Sequence, residues 1–210
     1  MTIIPTQQGE IQMKTFLLAM AATAALALPA AAGTFTGEVR LGDVRNRVTD
    51  STEYRLNYAA SPTTVYNNAV ELGGELIVRQ LAQHGAVSSK LTGRVGPVLA
   101  SYRGFAPSVY VEFGESMTNK HTDAIWGAGA AVAHQVHDKF TVAGREFGPV
   151  SASLGYRHRE GFSTERVKED RVNLGVKVAV AAHDSVGVNA YRTTGTINSE
   201  VVGFSYSHQF

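Results

Sequence analysis

From Gly33 to Phe210 the chain alternates apolar and polar residues with a period of two, which sends successive side chains to opposite faces of an extended strand. The clearest run is RVNLGVKVAVAAHD, where Val172, Leu174, Val176, Val178 and Val180 share one face. Asn173, Gly175, Lys177, Ala179 and Ala181 share the other. In GPVSASLGYRHREG, Val150, Ala152, Leu154 and Tyr156 oppose Ser151, Ser153, Gly155, Arg157 and Arg159. In AVELGGELIVRQ, Val70, Leu72, Leu76 and Val78 oppose Glu71, Gly73, Glu75 and Arg79. The shorter stretches SVYVEFGE, TEYRLNYA and TFTGEVRLGD follow the same rule, with Glu112, Arg55 and Glu38 on their polar faces.

The pattern predicts an all-β protein of ten strands, near 34–43, 52–60, 66–80, 87–101, 108–117, 124–136, 148–159, 170–181, 185–193 and 200–210. Eight strands is the alternative, because Gly85 to Pro107 and the insert KFTVAGREFG are the least regular stretches. No helix of useful length is predicted, and no repeat recurs at a solenoid or propeller period. The tight connections AASPTT and AHDS alternate with the longer polar ones DVRNRVTDST, SMTNKHTD and GFSTERVKED. Short turns at one rim and long charged loops at the other are the arrangement of a membrane barrel.

Alternation alone does not say which face is inside, since lipocalins and β-sandwiches alternate too. Two features point to an inverted protein, greasy outside and polar within. The polar faces mix charges with very small residues: Gly73, Gly155, Gly175, Gly203, Ser151, Ser153 and Ala179. Glycine weakens a strand, and it serves little purpose against open solvent, but in a narrow lumen it leaves room for long neighbours. Aromatic residues on the apolar face, Tyr58, Phe113, Trp126, Tyr156 and Phe210, fall toward strand ends, as in the girdles at membrane interfaces.

The N-terminal segment changes the compartment. Lys14 precedes the apolar run Phe16 to Leu28, Pro29 breaks that run, and Ala30 to Ala32 supply small residues before Gly33. This layout predicts a secretory signal peptide over 13–32, cleaved after Ala32, with 1–12 an upstream extension and 33–210 the barrel. Beyond Ala32 no stretch is apolar enough for a transmembrane helix, so residence in a membrane requires a closed barrel. The 19 basic and 18 acidic residues leave a formal net charge of +1, which argues against a nucleic-acid partner. The chain has no cysteine, which excludes disulfides and thiolate metal sites.

The final stretch, VVGFSYSHQF, carries a resemblance. Gly203, then alternating aromatic or apolar residues including Tyr206, lead to Phe210, and this resembles the C-terminal insertion signal of bacterial outer-membrane β-barrels. Val201 stands where a polar residue is usual in that signal, and His208 where a more apolar one is. The rest of the mature chain resembles small porin-like barrels of the OmpA, OmpX and opacity kind in pattern. The resemblance implies a closed antiparallel transmembrane β-barrel in the outer membrane, surrounded by its lipid and inserted by the barrel-assembly machinery.

With the polar stripes inside, Glu71, Glu75, Arg79, Glu112, Arg157, Arg159 and Lys177 become lumen charges. Charges in a narrow lumen must be paired or hydrated, so they form either a plug or the wall of a thin channel. The leading expectation is thus a porin-like or envelope-structural protein without catalytic activity, cofactor or metal. A surface-interaction barrel acting through Asp43–Thr52 and Gly161–Asp170 is the alternative. A lipid-modifying enzyme is a weaker one. His183-Asp184-Ser185 and His137-Asp138 hold the residue types of hydrolytic chemistry but fall at predicted turns, where Asp and Ser are ordinary. His121 with Asp123, and the pair His134 and His137, lack further partners for a catalytic or metal site.

Overall fold

A computed structural model describes residues 33–44, 49–65, 68–81, 87–118, 121–162, 167–196 and 198–210. The upstream extension and signal peptide expected over 1–32 lie outside the described residues. All strands belong to one compact unit, Gly33–Gln209. In chain order they are β1 (Gly33–Val44), β2 (Thr49–Ala60), β3 (Thr63–Val65), β4 (Asn68–Leu81), β5 (Val87–Pro97), β6 (Phe105–Thr118) and β7 (Thr122–His137). There follow β8 (Phe140–Val142), β9 (Arg145–Phe147), β10 (Val150–Gly161), β11 (Lys168–Ala179), β12 (Asp184–Gly195) and β13 (Ser199–Gln209).

Ten of these are staves of a closed antiparallel barrel, in the order β1-β2-β4-β5-β6-β7-β10-β11-β12-β13. β13 returns to β1 with Gln209 opposite Thr34 and Ser199 opposite Val44, and β2 meets β4 with Tyr54 opposite Val78. Closure removes both sheet edges and pairs backbone groups around the ring, which is what lets strands cross lipid. The three remaining strands are short. β3 folds back on β4, and β8 with β9 makes a separate hairpin within the connection from β7 to β10. KFTVAGREFG, irregular in sequence, is therefore an appendage to one rim. The stretch from Gly85 to Pro107 supplies the full stave β5 and the start of β6.

The expected asymmetry of the connections is not what forms. At the rim that holds Gly33 and Gln209, the staves are separated by 61–67, 98–104, 138–149 and 180–183. At the distal rim only 45–48, 82–86, 119–121, 162–167 and 196–198 lie between staves. Much of DVRNRVTDST, SMTNKHTD and GFSTERVKED is strand. Polar residues there read as loop by composition, yet they continue the alternation: Ser51, Ser116 and Glu169 are buried inward-facing positions. A lumen-facing stripe has to be polar, so polarity cannot mark where a stave of this kind ends.

Candidate functional site

The burial pattern sets the two faces. Inward positions such as Glu38, Arg40, Glu53, Glu75, Arg79, Glu112, Arg157, Arg159, Glu169 and Arg171 are buried, whereas Val39, Leu41, Phe113, Leu174, Val188 and Phe204 are exposed. This is the inverse of a soluble protein, in which buried charges are rare. Described outward charges keep to the ends of the staves. On β12 and β13 the distal pair Arg192 and Glu200 (3.8 Å) is balanced near the opposite rim by Asp184 and His208 (2.8 Å). From Glu200 to His208 the outward side chains are Val202, Phe204 and Tyr206. At roughly 3.4 Å per residue and a tilt of about 40°, that interval is about 20 Å high, close to a membrane barrel's apolar band. Aromatic side chains also crowd the charged edges, with Trp126 beside His158 (5.6 Å) and Phe113 stacked on Phe162 (6.3 Å). The protein is a transmembrane β-barrel.

Its lumen is crossed by a lattice of ion pairs built from seven staves. On β1, Arg40 is bonded to Glu38 (Nη2 to Oε2, 2.9 Å) and reaches Glu53 on β2. Glu53 also accepts both Nε and Nη2 of Arg79 on β4, at 3.1 and 2.7 Å. Glu75 on β4 is the centre of the lattice. It accepts from Arg55 (2.5 Å), Arg157 (2.6 Å) and Arg159 (3.1 Å), which come from β2 and β10. Arg159 continues to Glu112 on β6 through two bonds of 2.8 and 3.0 Å. Lys90 on β5 pairs with Glu169 on β11. Tyr191 on β12 donates to Glu38 (2.6 Å) while its ring lies 3.9 Å beneath the Arg40 guanidinium.

Arg40 and Arg159 are each 1% exposed, so this level of the barrel is filled as a core is filled. A charge buried this deeply is tolerated when partners and hydrogen bonds replace its water. The lattice holds seven cations (Arg40, Arg55, Arg79, Lys90, Arg157, Arg159, Arg171) against five carboxylates (Glu38, Glu53, Glu75, Glu112, Glu169), an excess of two positive charges. Arg171 is the least satisfied member. Its Nε donates to Thr193 (2.9 Å), but its Nη1 makes no hydrogen bond and lies 3.7 Å from the nearest Glu53 oxygen.

The glycines of the polar stripes make the room for these side chains. A Cβ at Gly203 would stand 2.9 Å from the Glu38 carboxyl carbon and 3.0 Å from Arg40 Cγ. One at Gly127 would stand 2.7 Å from a Glu112 oxygen.

Of the residues expected in the lumen, Glu75, Arg79, Glu112, Arg157 and Arg159 are brought into one lattice. Lys177 faces the same interior but stands apart, toward the rim of the chain ends. Glu71 lies near that rim as well, opposite Gly96, and joins no ion pair among the described residues. Sequence reasoning did not single out Glu38, Arg40, Glu53, Arg55, Lys90, Glu169, Arg171 and Tyr191 as site residues. Glu38, Arg40 and Arg55 were visible on polar stripes, whereas Lys90 and Glu169 sit in stretches read as irregular or as loop. Gly203 and Tyr206 lie on opposite faces of β13, and Phe210, 47% exposed, follows its last residue.

Among solved structures, the chain is similar to the β domain of the Bordetella autotransporter BrkA, with 10% identity over 86% of this chain and 100% of that one and a TM-score of 0.47. It is similar to the KdgM porin in complex with disordered oligogalacturonate (12% identity, 84% of this chain, 99% of that one, TM-score 0.43). A third is the COG4313 outer membrane channel from Pseudomonas putida F1 (12%, 87% and 97%, TM-score 0.43). No protein-family model and no curated protein matches the sequence.

Proposed function

We propose that the protein is an outer-membrane barrel of the porin-like or envelope-structural class, with a lumen plugged by its own ion-pair lattice. The observation that carries this reading is the burial of Arg40, Glu53, Glu75, Glu112 and Arg159 at one level of a closed barrel. Side chains locked by two or three charge-assisted bonds each do not move aside without leaving charges unpaired. The rim of the chain ends faces the periplasm in this reading.

The test is conductance in planar bilayers. The wild-type barrel is expected to show rare or no channel events. The double variant E38S/R40S removes two mutually paired groups and is expected to give discrete openings. Steady ohmic conductance by the wild type would overturn the plug.

The reading is non-enzymatic. Of the histidines that suggested chemistry, His134 Nδ1 is bonded to the Gly104 carbonyl (3.1 Å) and His137 Nδ1 to the Asp138 carbonyl (2.9 Å). Of the stretches Asp43–Thr52 and Gly161–Asp170, expected to carry a surface-interaction role in the alternative reading, 45–48 and 163–166 lie outside the described residues.

Gly203, Tyr206 and Phe210 are assigned to the insertion signal read by the barrel-assembly machinery. Under that assignment, F210A lowers the yield of folded, heat-modifiable protein in cells several-fold while leaving refolding into detergent unchanged. An unchanged cellular yield would remove Phe210 from the signal.

A further inference from the structure

Below the plug the lumen opens. A cavity of about 230 Å³ has Arg40, Arg55, Arg157 and Arg171 in its wall, together with Asn173 and Asn189. A second cavity of about 250 Å³ lies at the rim of the chain ends, lined by Thr34, Ser151, His183, Asp184, Ser185 and Gln209 among others. Lys177 and Ser207 line both, so the two cavities are adjacent, with Lys177 between them; together they are called the vestibule, and Lys177 its neck. At about 30 Å³ per water, the inner cavity has room for roughly eight waters, or for one small organic ion.

The charges of this space are unbalanced. Inward-facing described residues number nine cations (the seven of the lattice, Arg94 and Lys177) against seven carboxylates (the five of the lattice, Glu71 and Asp123), an excess of two. Five cations (Arg40, Arg55, Arg157, Arg171 and Lys177) and one carboxylate (Glu38) line the inner cavity. Arg171 in its wall lacks a hydrogen-bond acceptor at Nη1. Lys177 is solvent-exposed and has no ion-pair partner among the described residues. Its cross-strand neighbours are Ser151 and Gly187, and the carboxylate that lines the rim cavity with it, Asp184, is bonded to Tyr206 and His208. Around it Ser153, Asn173, Asn189 and Ser205 offer hydroxyl and amide donors. Low-dielectric walls in which one sign of charge predominates focus the field and concentrate counter-ions.

We propose that this vestibule is a binding site for a small dianion, a phosphate or a dicarboxylate, that enters at the rim of the chain ends and stops beneath the plug. Lys177 contacts it at the neck, the amides and hydroxyls fill its remaining acceptor positions, and the arginine floor supplies the field. The inference deepens the plugged-barrel reading and rests on it.

The absence of native cysteine gives a direct test. Lys177→Cys places one thiol at the neck without touching the lattice. Folded barrel in detergent is titrated calorimetrically with inorganic phosphate and with succinate, at an ionic strength held constant with chloride. Saturable binding is expected for the wild type, at least tenfold weaker binding for K177C, and recovery when the thiol is capped with an aminoethyl disulfide. A sulfonatoethyl cap, which reverses the charge, should abolish binding. Absence of saturable binding by the wild type, or equal binding by wild type and K177C, overturns the site. Heat-modifiability of the same sample keeps the two ideas separable. A heat-modifiable protein that binds neither ion defeats the site and leaves the barrel standing, whereas a protein that stays dissolved without detergent defeats the barrel itself.

Discussion

Glu75→Ala is expected to lower the stability of the folded barrel by about 3–5 kcal/mol, the cost of breaking a buried pair by removing one partner. Glu75 is the common acceptor for Arg55, Arg157 and Arg159, and it is 4% exposed. Its loss leaves three guanidiniums pressed together and raises the excess positive charge of the lattice from two to three. Arg159 still has Glu112, but Arg55 keeps only the longer 3.3 Å contact to Glu38, and Arg157 only a 3.9 Å approach to Glu112. The measurement is the urea midpoint of refolded barrel in lipid vesicles, followed by heat-modifiability. Glu71→Ala is the internal control. It removes a carboxylate from the same stave and face, but one that joins no ion pair among the described residues, so a change within about 0.5 kcal/mol is expected. Equal midpoints for E75A and wild type would mean that the lumen charges are hydrated individually and that no plug exists.

Leu174→Arg is expected to cost about 2–4 kcal/mol, the penalty for a guanidinium near the middle of a barrel's lipid face. Leu174 lies midway along β11 between outward Val172 and Val176 and is 59% exposed. A surface residue of a soluble protein would accept arginine at little or no cost, so the sign of the result tests the orientation directly. The measurement is again the urea midpoint in vesicles, with Leu174→Ala separating loss of apolar area from the cost of the charge. Arginine behaving no worse than alanine would place this face in water.

Which residues share a face was legible in the sequence because it depends on period alone, and the small residues of the polar stripes and the aromatics of the apolar ones showed which face turns inward. Val172, Leu174 and Val176 must share a face opposite Asn173, Gly175 and Lys177 whatever the rest of the chain does. The ten staves followed from the same rule, even where the alternation is ragged at β5. Their ends did not. Composition normally separates strand from loop by polarity, and an inward stripe of Ser51, Ser116, Glu169 and Arg171 defeats that test. Hence the loop expected at DVRNRVTDST turned out to be stave at both ends, and the one at GFSTERVKED gives its last three residues to β11.

The site was legible only as a set of residues. Glu71, Glu75, Arg79, Arg157, Arg159 and Lys177 look alike in the sequence, each a charge on a polar stripe. Their roles part in three dimensions, because the tilt of the staves and the closure of β2 on β4 decide which charges share a level. Glu75 meets arginines 20, 82 and 84 positions away, while Glu71, two periods of the alternation earlier, meets none among the described residues. Which side chains share a face is a local property of the pleat, so the sequence by itself determined it. Which charges meet, where the lumen is filled and where it stays open depend on register and circumference, and only the folded barrel decided those.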